Sequence, residues 1–82
     1  MRTEIITLNT IDKVKSFVNE ASAIAADIDL ISGRYVIDAK SIMGIFSLDL
    51  SKPIEIRLSL VNSDDEKMEI EKFNKLVEKY SA

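Results

Sequence analysis

An α+β fold, a mainly antiparallel sheet with helices covering one face, is what this sequence predicts. Three observations carry it. Ile54, Ile56, Leu58 and Leu60 alternate with Glu55, Arg57 and Ser59, the period-two pattern of a strand with one face in a core and the other in water. Two further segments set apolar residues three and four apart, as one face of a helix does. Strand-like and helix-like segments then succeed one another as β-α-β-β-α-β-α, an order that suits a sheet layered against helices.

Each element has its own local reason. Residues 3 to 8, Thr-Glu-Ile-Ile-Thr-Leu, are short and β-branched, which suits a first strand. Asn9 and Thr10 follow as helix N-cap residues. From there Ile11, Val14, Phe17, Val18, Ala21, Ile24 and Ala25 make one apolar helix face, with Lys13, Lys15, Asn19 and Glu20 toward water. Asp27 to Ser32 alternates, and Gly33 and Arg34 turn the chain into a second β-rich run, Tyr35 to Ala39, so the pair reads as a hairpin. Ser41 is a good N-cap for one or two helical turns through Ile42, Met43, Gly44, Ile45, Phe46 and Leu48. After Ser51-Lys52-Pro53 comes the alternating strand, 54 to 60. Asn62, Ser63, Asp64, Asp65 and Glu66 then offer caps and first-turn carboxylates to a last helix. Its apolar stripe is Ile70, Phe73, Leu76, Val77 and Tyr80, with Lys72, Lys75 and Lys79 on its exposed sides.

Composition bounds the function. With 82 residues, 46% of them hydrophobic and 30% charged, the chain reads as one globular domain, residues 1 to 82, whose core leaves no surplus for a second. It has no cysteine, so disulfides and thiolate metal sites are excluded and a cytoplasmic setting is expected. It has no histidine either, which removes the usual general base at neutral pH and the commonest metal ligand. With two glycines in all and no glycine-rich phosphate loop, neither enzymatic chemistry nor a cofactor is called for. A formal charge of −3 speaks against direct nucleic-acid binding, which needs a basic stripe. No apolar run reaches membrane-spanning length. The acidic run Asp64, Asp65 and Glu66 is accounted for as a helix start, not a metal site. Arg34 is accounted for as part of the hairpin turn.

The segment from Asp38 to Ile56 carries a more specific signal. Lys40-Ser41-Ile42-Met43-Gly44, followed by Ser47-Leu48, resembles the regulatory-serine segment of HPr proteins, the histidine-containing phosphocarriers of the sugar phosphotransferase system. Phe17-Val18 matches the usual Phe-Val pair of that family's first helix, and the element order is the same, so the resemblance covers essentially the whole chain. It implies an open-faced sandwich, a four-stranded antiparallel sheet covered on one face by three helices.

The departure lies at the start of the first helix, where family members carry Gly-x-His-x-Arg-Pro and pass phosphate through the histidine. Aligned on Phe17, the histidine position falls on Thr10, the arginine on Asp12 and the proline on Lys13. Asp12 would repel a phosphoryl group where the family holds a cation, and threonine forms no labile phosphoramidate. Thr10 therefore reads as a cap, and a phosphocarrier role is excluded on chemistry. The chain is similar in this to catabolite repression HPr-like proteins, which lack the histidine but keep the serine.

That resemblance implies phosphorylation of Ser41 by an HPr kinase/phosphorylase and binding of the product to a LacI-type catabolite repressor. It also implies a docking patch for phosphotransferase-system proteins formed by Lys40, Ile42, Met43 and Phe46. Ser41 also has a plain structural reading as a cap, and a phosphate there would add roughly −1.5 to −2 charge beside Lys40. The alternative is an unmodified docking module or decoy that uses Ile42, Met43 and Phe46 alone. Either a monomer or a strand-swapped dimer fits a small sheet with short connections.

Overall fold

The computed structural model describes residues 2–59 and 66–81. Their elements are β1 (Arg2–Ile6), α1 (Ile11–Ala21), β2 (Asp27–Ser32), β3 (Tyr35–Asp38), α2 (Ile42–Phe46), β4 (Ile54–Ser59) and α3 (Glu66–Tyr80), in the order expected. The strands form one antiparallel sheet with spatial order β1-β4-β2-β3. β4 takes a central place, with Ile56 opposite Glu4 on one side and Leu30 on the other. Its alternation is realised residue by residue: Ile54, Ile56 and Leu58 are buried, while Glu55, Arg57 and Ser59 are half-buried on the open face. A two-residue turn at Gly33 and Arg34 joins β2 to β3, and Gly33 adopts a φ of 61°, which glycine alone takes without strain.

The three helices cover the other face. Val14, Phe17 and Ala21 of α1, Ile45 of α2 and Phe73, Leu76 and Tyr80 of α3 enter one core with Ile6, Ile28, Leu30, Ile54, Ile56 and Leu58 of the sheet. The rings of Phe17 and Tyr80 meet edge to face at 5.5 Å between centroids, fastening α1 to α3. This is the open-faced α+β sandwich. Among the described residues no helix is long and apolar enough to cross a membrane.

Several boundaries differ from expectation, each for a local reason. β1 stops at Ile6 because the Thr7 amide donates to the Tyr80 carbonyl at the end of α3 (2.8 Å) and leaves the ladder. α1 ends at Ala21 with Ser22 as its C-cap, so Ala25, expected on the buried face, lies beyond the helix and is exposed. Ile11, also expected on that face, is exposed at the helix start. β3 ends at Asp38, where its side chain and carbonyl start a turn by accepting from the amides of Lys40 and Ser41, although the buried Ala39 still donates to the Ile28 carbonyl (2.9 Å) in the register of the ladder. Leu60 and the proposed caps Asn62 to Asp65 lie outside the described residues.

One buried group has no counterpart in the sequence reading. Glu69, in the first turns of α3, is only 5% exposed. Its Oε2 accepts hydrogen bonds from the backbone amides of Ala25 (2.9 Å) and Ala26 (3.4 Å). The loop between α1 and β2 is thus tied to α3 by a charge-assisted contact.

Candidate functional site

The site is built from the turn between β3 and α2. The amide of Lys40 donates to Asp38 Oδ1 (2.9 Å) and the amide of Ser41 to the Asp38 carbonyl (3.0 Å), a turn nucleated by an aspartate side chain bonding two residues ahead. Ser41 then caps α2 as expected: its backbone is extended and its Oγ accepts from the Gly44 amide at 3.3 Å. The Ser41 side chain is exposed to solvent, so capping and accessibility coexist.

A five-residue helix cannot bury four large side chains, and α2 and the Leu48 that follows it divide them. Ile45 enters the core, and Ile42 and Leu48 pack partly against it. Met43 is left 78% exposed and Phe46 39% exposed. Met43 and Phe46 are therefore the exposed apolar side chains of α2. Ile42 is only partly available, because its position in the first turn turns it toward the body of the fold.

Lys40 has an engagement its local sequence does not announce. Its ammonium reaches back to the α1–β2 loop, donating to the carbonyls of Ile24 (2.7 Å) and Ala26 (3.4 Å). The side chain is half-buried, and its charge satisfies backbone oxygens of this chain.

α1 packs against α2, and its first turn presents Thr10, Ile11, Asp12 and Lys13 to solvent. Thr10 is the N-cap, with Oγ1 accepting from the Lys13 amide at 3.1 Å. Asp12 occupies the first turn, where the helix dipole favours a carboxylate. The described residues hold no group of three or more acidic side chains arranged to bind a metal ion. Ile11 is a surface residue although its spacing to Val14 continues the buried stripe. The available signal was its place immediately after a cap, where the turn before it does not exist to bury it.

The comparisons agree with this architecture. The family model described as "PTS HPr component phosphorylation site" matches residues 13–79. No match is found among curated proteins. Among solved structures, the chain is similar to HPr-C-His from Thermoanaerobacter tengcongensis, with 27% identity and a TM-score of 0.71 over 95% of this chain and 92% of that one. It is similar also to the phosphocarrier protein HPr from Bacillus anthracis, with 26% identity and a TM-score of 0.71 over 98% and 96%. The histidine-containing phosphocarrier protein of a mycoplasma shares the fold at 20% identity, with a TM-score of 0.65 over 93% and 89%. With the family model matching from the first turn of α1 almost to the end of α3, the chain belongs to the PTS HPr family.

Proposed function

We propose that this HPr-family chain is a regulatory protein of carbon catabolite control, switched by phosphorylation at Ser41, and not a histidine phosphocarrier or an enzyme. The observation that carries the reading is that Ser41 is exposed at the start of α2, whose Met43 and Phe46 are exposed as well. A kinase can reach the serine, and a partner can seat on the apolar pair beside it. The absence of histidine from the chain supports the loss of phosphoryl relay, and Thr10 and Asp12 are used as a cap and a first-turn carboxylate. Burying Met43, 78% exposed, against a partner would contribute at most roughly 1.5–3 kcal/mol and Phe46, 39% exposed, well under that, and the flexible thioether suits more than one partner shape.

In this reading the setting is cytoplasmic, and the partners are an HPr kinase/phosphorylase, a LacI-type repressor or other phosphotransferase-system proteins. Direct contact with nucleic acid or a membrane has no part in it. The test is the intact mass after incubation with an HPr kinase/phosphorylase and ATP, with Ser41→Ala as control. One added phosphate, absent in the variant, is expected; no added mass overturns the switch.

One observation favours a second reading, an unmodified docking module or decoy. Lys40 is committed to the carbonyls of Ile24 and Ala26, so this side chain is not aimed at a phosphate on Ser41. Under that reading Met43→Asp abolishes capture of phosphotransferase-system proteins while Ser41→Ala leaves it intact; the reverse pattern excludes it.

A further inference from the structure

Away from Ser41, the end of α1 and the outer face of α3 enclose a groove of about 310 Å³ lined by Glu20, Ala23, Ile24, Lys72, Lys75, Leu76 and Lys79. That is at the lower edge of the roughly 300–1,000 Å³ typical of small-molecule sites. Its accessible lining is apolar Ala23, exposed between the helices, together with the lysine stems, while Ile24 and Leu76, only 2% and 4% exposed, close the floor from within the core. Its rim is cationic. Lys72, Lys75 and Lys79 recur at intervals of three and four, so they stand on one face of α3 over roughly 10 Å at 1.5 Å per residue. Their methylene stems add to the apolar wall while the ammonium groups stay at the mouth.

The three ammonium groups are not equivalent. Lys72 Nζ donates to the Ala23 carbonyl at 3.3 Å, and Lys79 pairs with Glu20. Glu20, the lone carboxylate of the lining, is held further by the Tyr80 hydroxyl at 2.7 Å. Lys75, between them, has no partner among the described residues. A chain with a formal charge of −3 thus carries a local excess of positive charge around an apolar hollow, with an unengaged cation at its centre.

We propose that this groove binds an amphipathic organic anion, a medium-chain carboxylate whose head pairs with Lys75 and whose tail lies along Ala23 and the methylene stems of Lys72 and Lys79, over the floor closed by Ile24 and Leu76. Charge complementarity sets the head group, since three cations face one already paired carboxylate. The apolar floor calls for a tail, which a bare inorganic anion lacks. The site is separate from the exposed surface of α2 and is independent of any modification of Ser41.

The experiment is a titration of the isotope-labelled chain with octanoate below its micellar range, followed by amide chemical shifts. Butyrate, octanol and octyltrimethylammonium supply the short-tail, uncharged and wrong-charge controls. Saturable shifts confined to residues 20–24 and 72–79 are expected, at least ten-fold weaker affinity in Lys75→Glu, and recovery in Lys75→Arg. Lys75 is exposed, so both variants retain the fold. Equal affinity for octyltrimethylammonium, shifts centred on Met43 and Phe46, or no saturation overturns the proposal. A glutamate-rich peptide that shifts these amides where octanoate does not also overturns it, making the groove a surface for acidic protein segments.

Discussion

The ammonium of Lys40 donates to the carbonyl oxygen of Ile24 across 2.7 Å and shares a longer contact with Ala26. The residue preceding Ser41 thereby anchors the loop that leads from α1 into β2. Replacing it by methionine keeps the stem and removes the donor, leaving carbonyls in a half-buried place short of their partner. Lys40→Met is expected to destabilise the chain by about 1–3 kcal/mol, read as a lower urea midpoint with faster amide exchange at Ile24 to Ala26. An unchanged midpoint would mean that water replaces the ammonium without loss.

Glu69 holds the same loop by its amides as Lys40 does by its carbonyls. Its buried Oε2 takes two backbone amides, and hydrogen bonds to a charged group are worth about 1.5–3 kcal/mol each at most. Glu69→Ala is therefore expected to lose about 2–3 kcal/mol, and Glu69→Gln, which keeps one acceptor oxygen, clearly less. Equal losses in chemical denaturation would assign the effect to side-chain volume and not to the accepted hydrogen bonds.

These two contacts mark the limit of what the sequence makes legible. The strands and helices follow from local pattern: alternation at Ile54 to Leu58 defines β4, and Ser41 announces α2 by its capping chemistry. The exposed Met43 was readable too, because a short helix cannot bury every side of itself. Glu69 was not. A carboxylate four residues before Phe73 sits on the buried stripe but reads as a solvated charge unless the unpaired amides of Ala25 and Ala26 are known to face it. Lys40 belongs with it: its side chain answers to a loop distant in sequence, and no local spacing reports that. Ile11 failed in the other direction, as periodicity carries a stripe past the point where neighbours exist to cover it.

At acid pH the pair formed by Glu20 is the group to follow. The hydrogen bond from Lys79 holds its carboxyl below the ordinary value of 4.5, with the Tyr80 hydroxyl adding to the effect against a partial loss of hydration. A depressed carboxyl stabilises the fold fully above its unfolded value and loses that contribution as pH falls through the folded one. Because the pair is largely exposed, about 0.5–1 kcal/mol is expected from it at neutral pH. The stability gap between the wild-type chain and Glu20→Gln should close as pH drops below about 4.5, measured by urea melts across the range. A gap independent of pH would remove the ion pair as its cause.

Tyr80 should govern the alkaline side. Burial, and then the hydrogen bond to the Glu20 carboxylate, push its phenol well above the ordinary 10.0. For a raised group the stabilisation is complete below the unfolded value and is lost as pH climbs toward the folded one. Tyr80→Phe gives up one partly buried hydrogen bond, about 1 kcal/mol at neutral pH, and should show a shallower decline in stability above pH 10. A decline as steep as that of the unsubstituted chain would assign alkaline unfolding to other groups.

Gly44 supplies the sharpest packing test, because two effects oppose each other at one atom. Alanine is favoured over glycine inside a helix by about 1 kcal/mol, so helix propensity alone predicts that Gly44→Ala stabilises. A Cβ at this position, however, would stand 2.7 Å from Ile37 Cγ2 on β3 and 3.1 Å from the Ser41 hydroxyl that caps the helix. Cγ2 is fixed directly to a branched Cβ and cannot swing aside as a flexible tip would, so α2 must lift from β3. Overpacking of this kind costs about 1–3 kcal/mol, which outweighs the propensity gain. Gly44→Ala is expected to lower thermal stability, and in an Ile37→Ala background the same change should become neutral or stabilising. If the single substitution stabilises the chain, α2 is not held against β3 as closely as this contact requires. If it destabilises equally in both backgrounds, the obstruction lies at Ser41 and the glycine is kept for the cap.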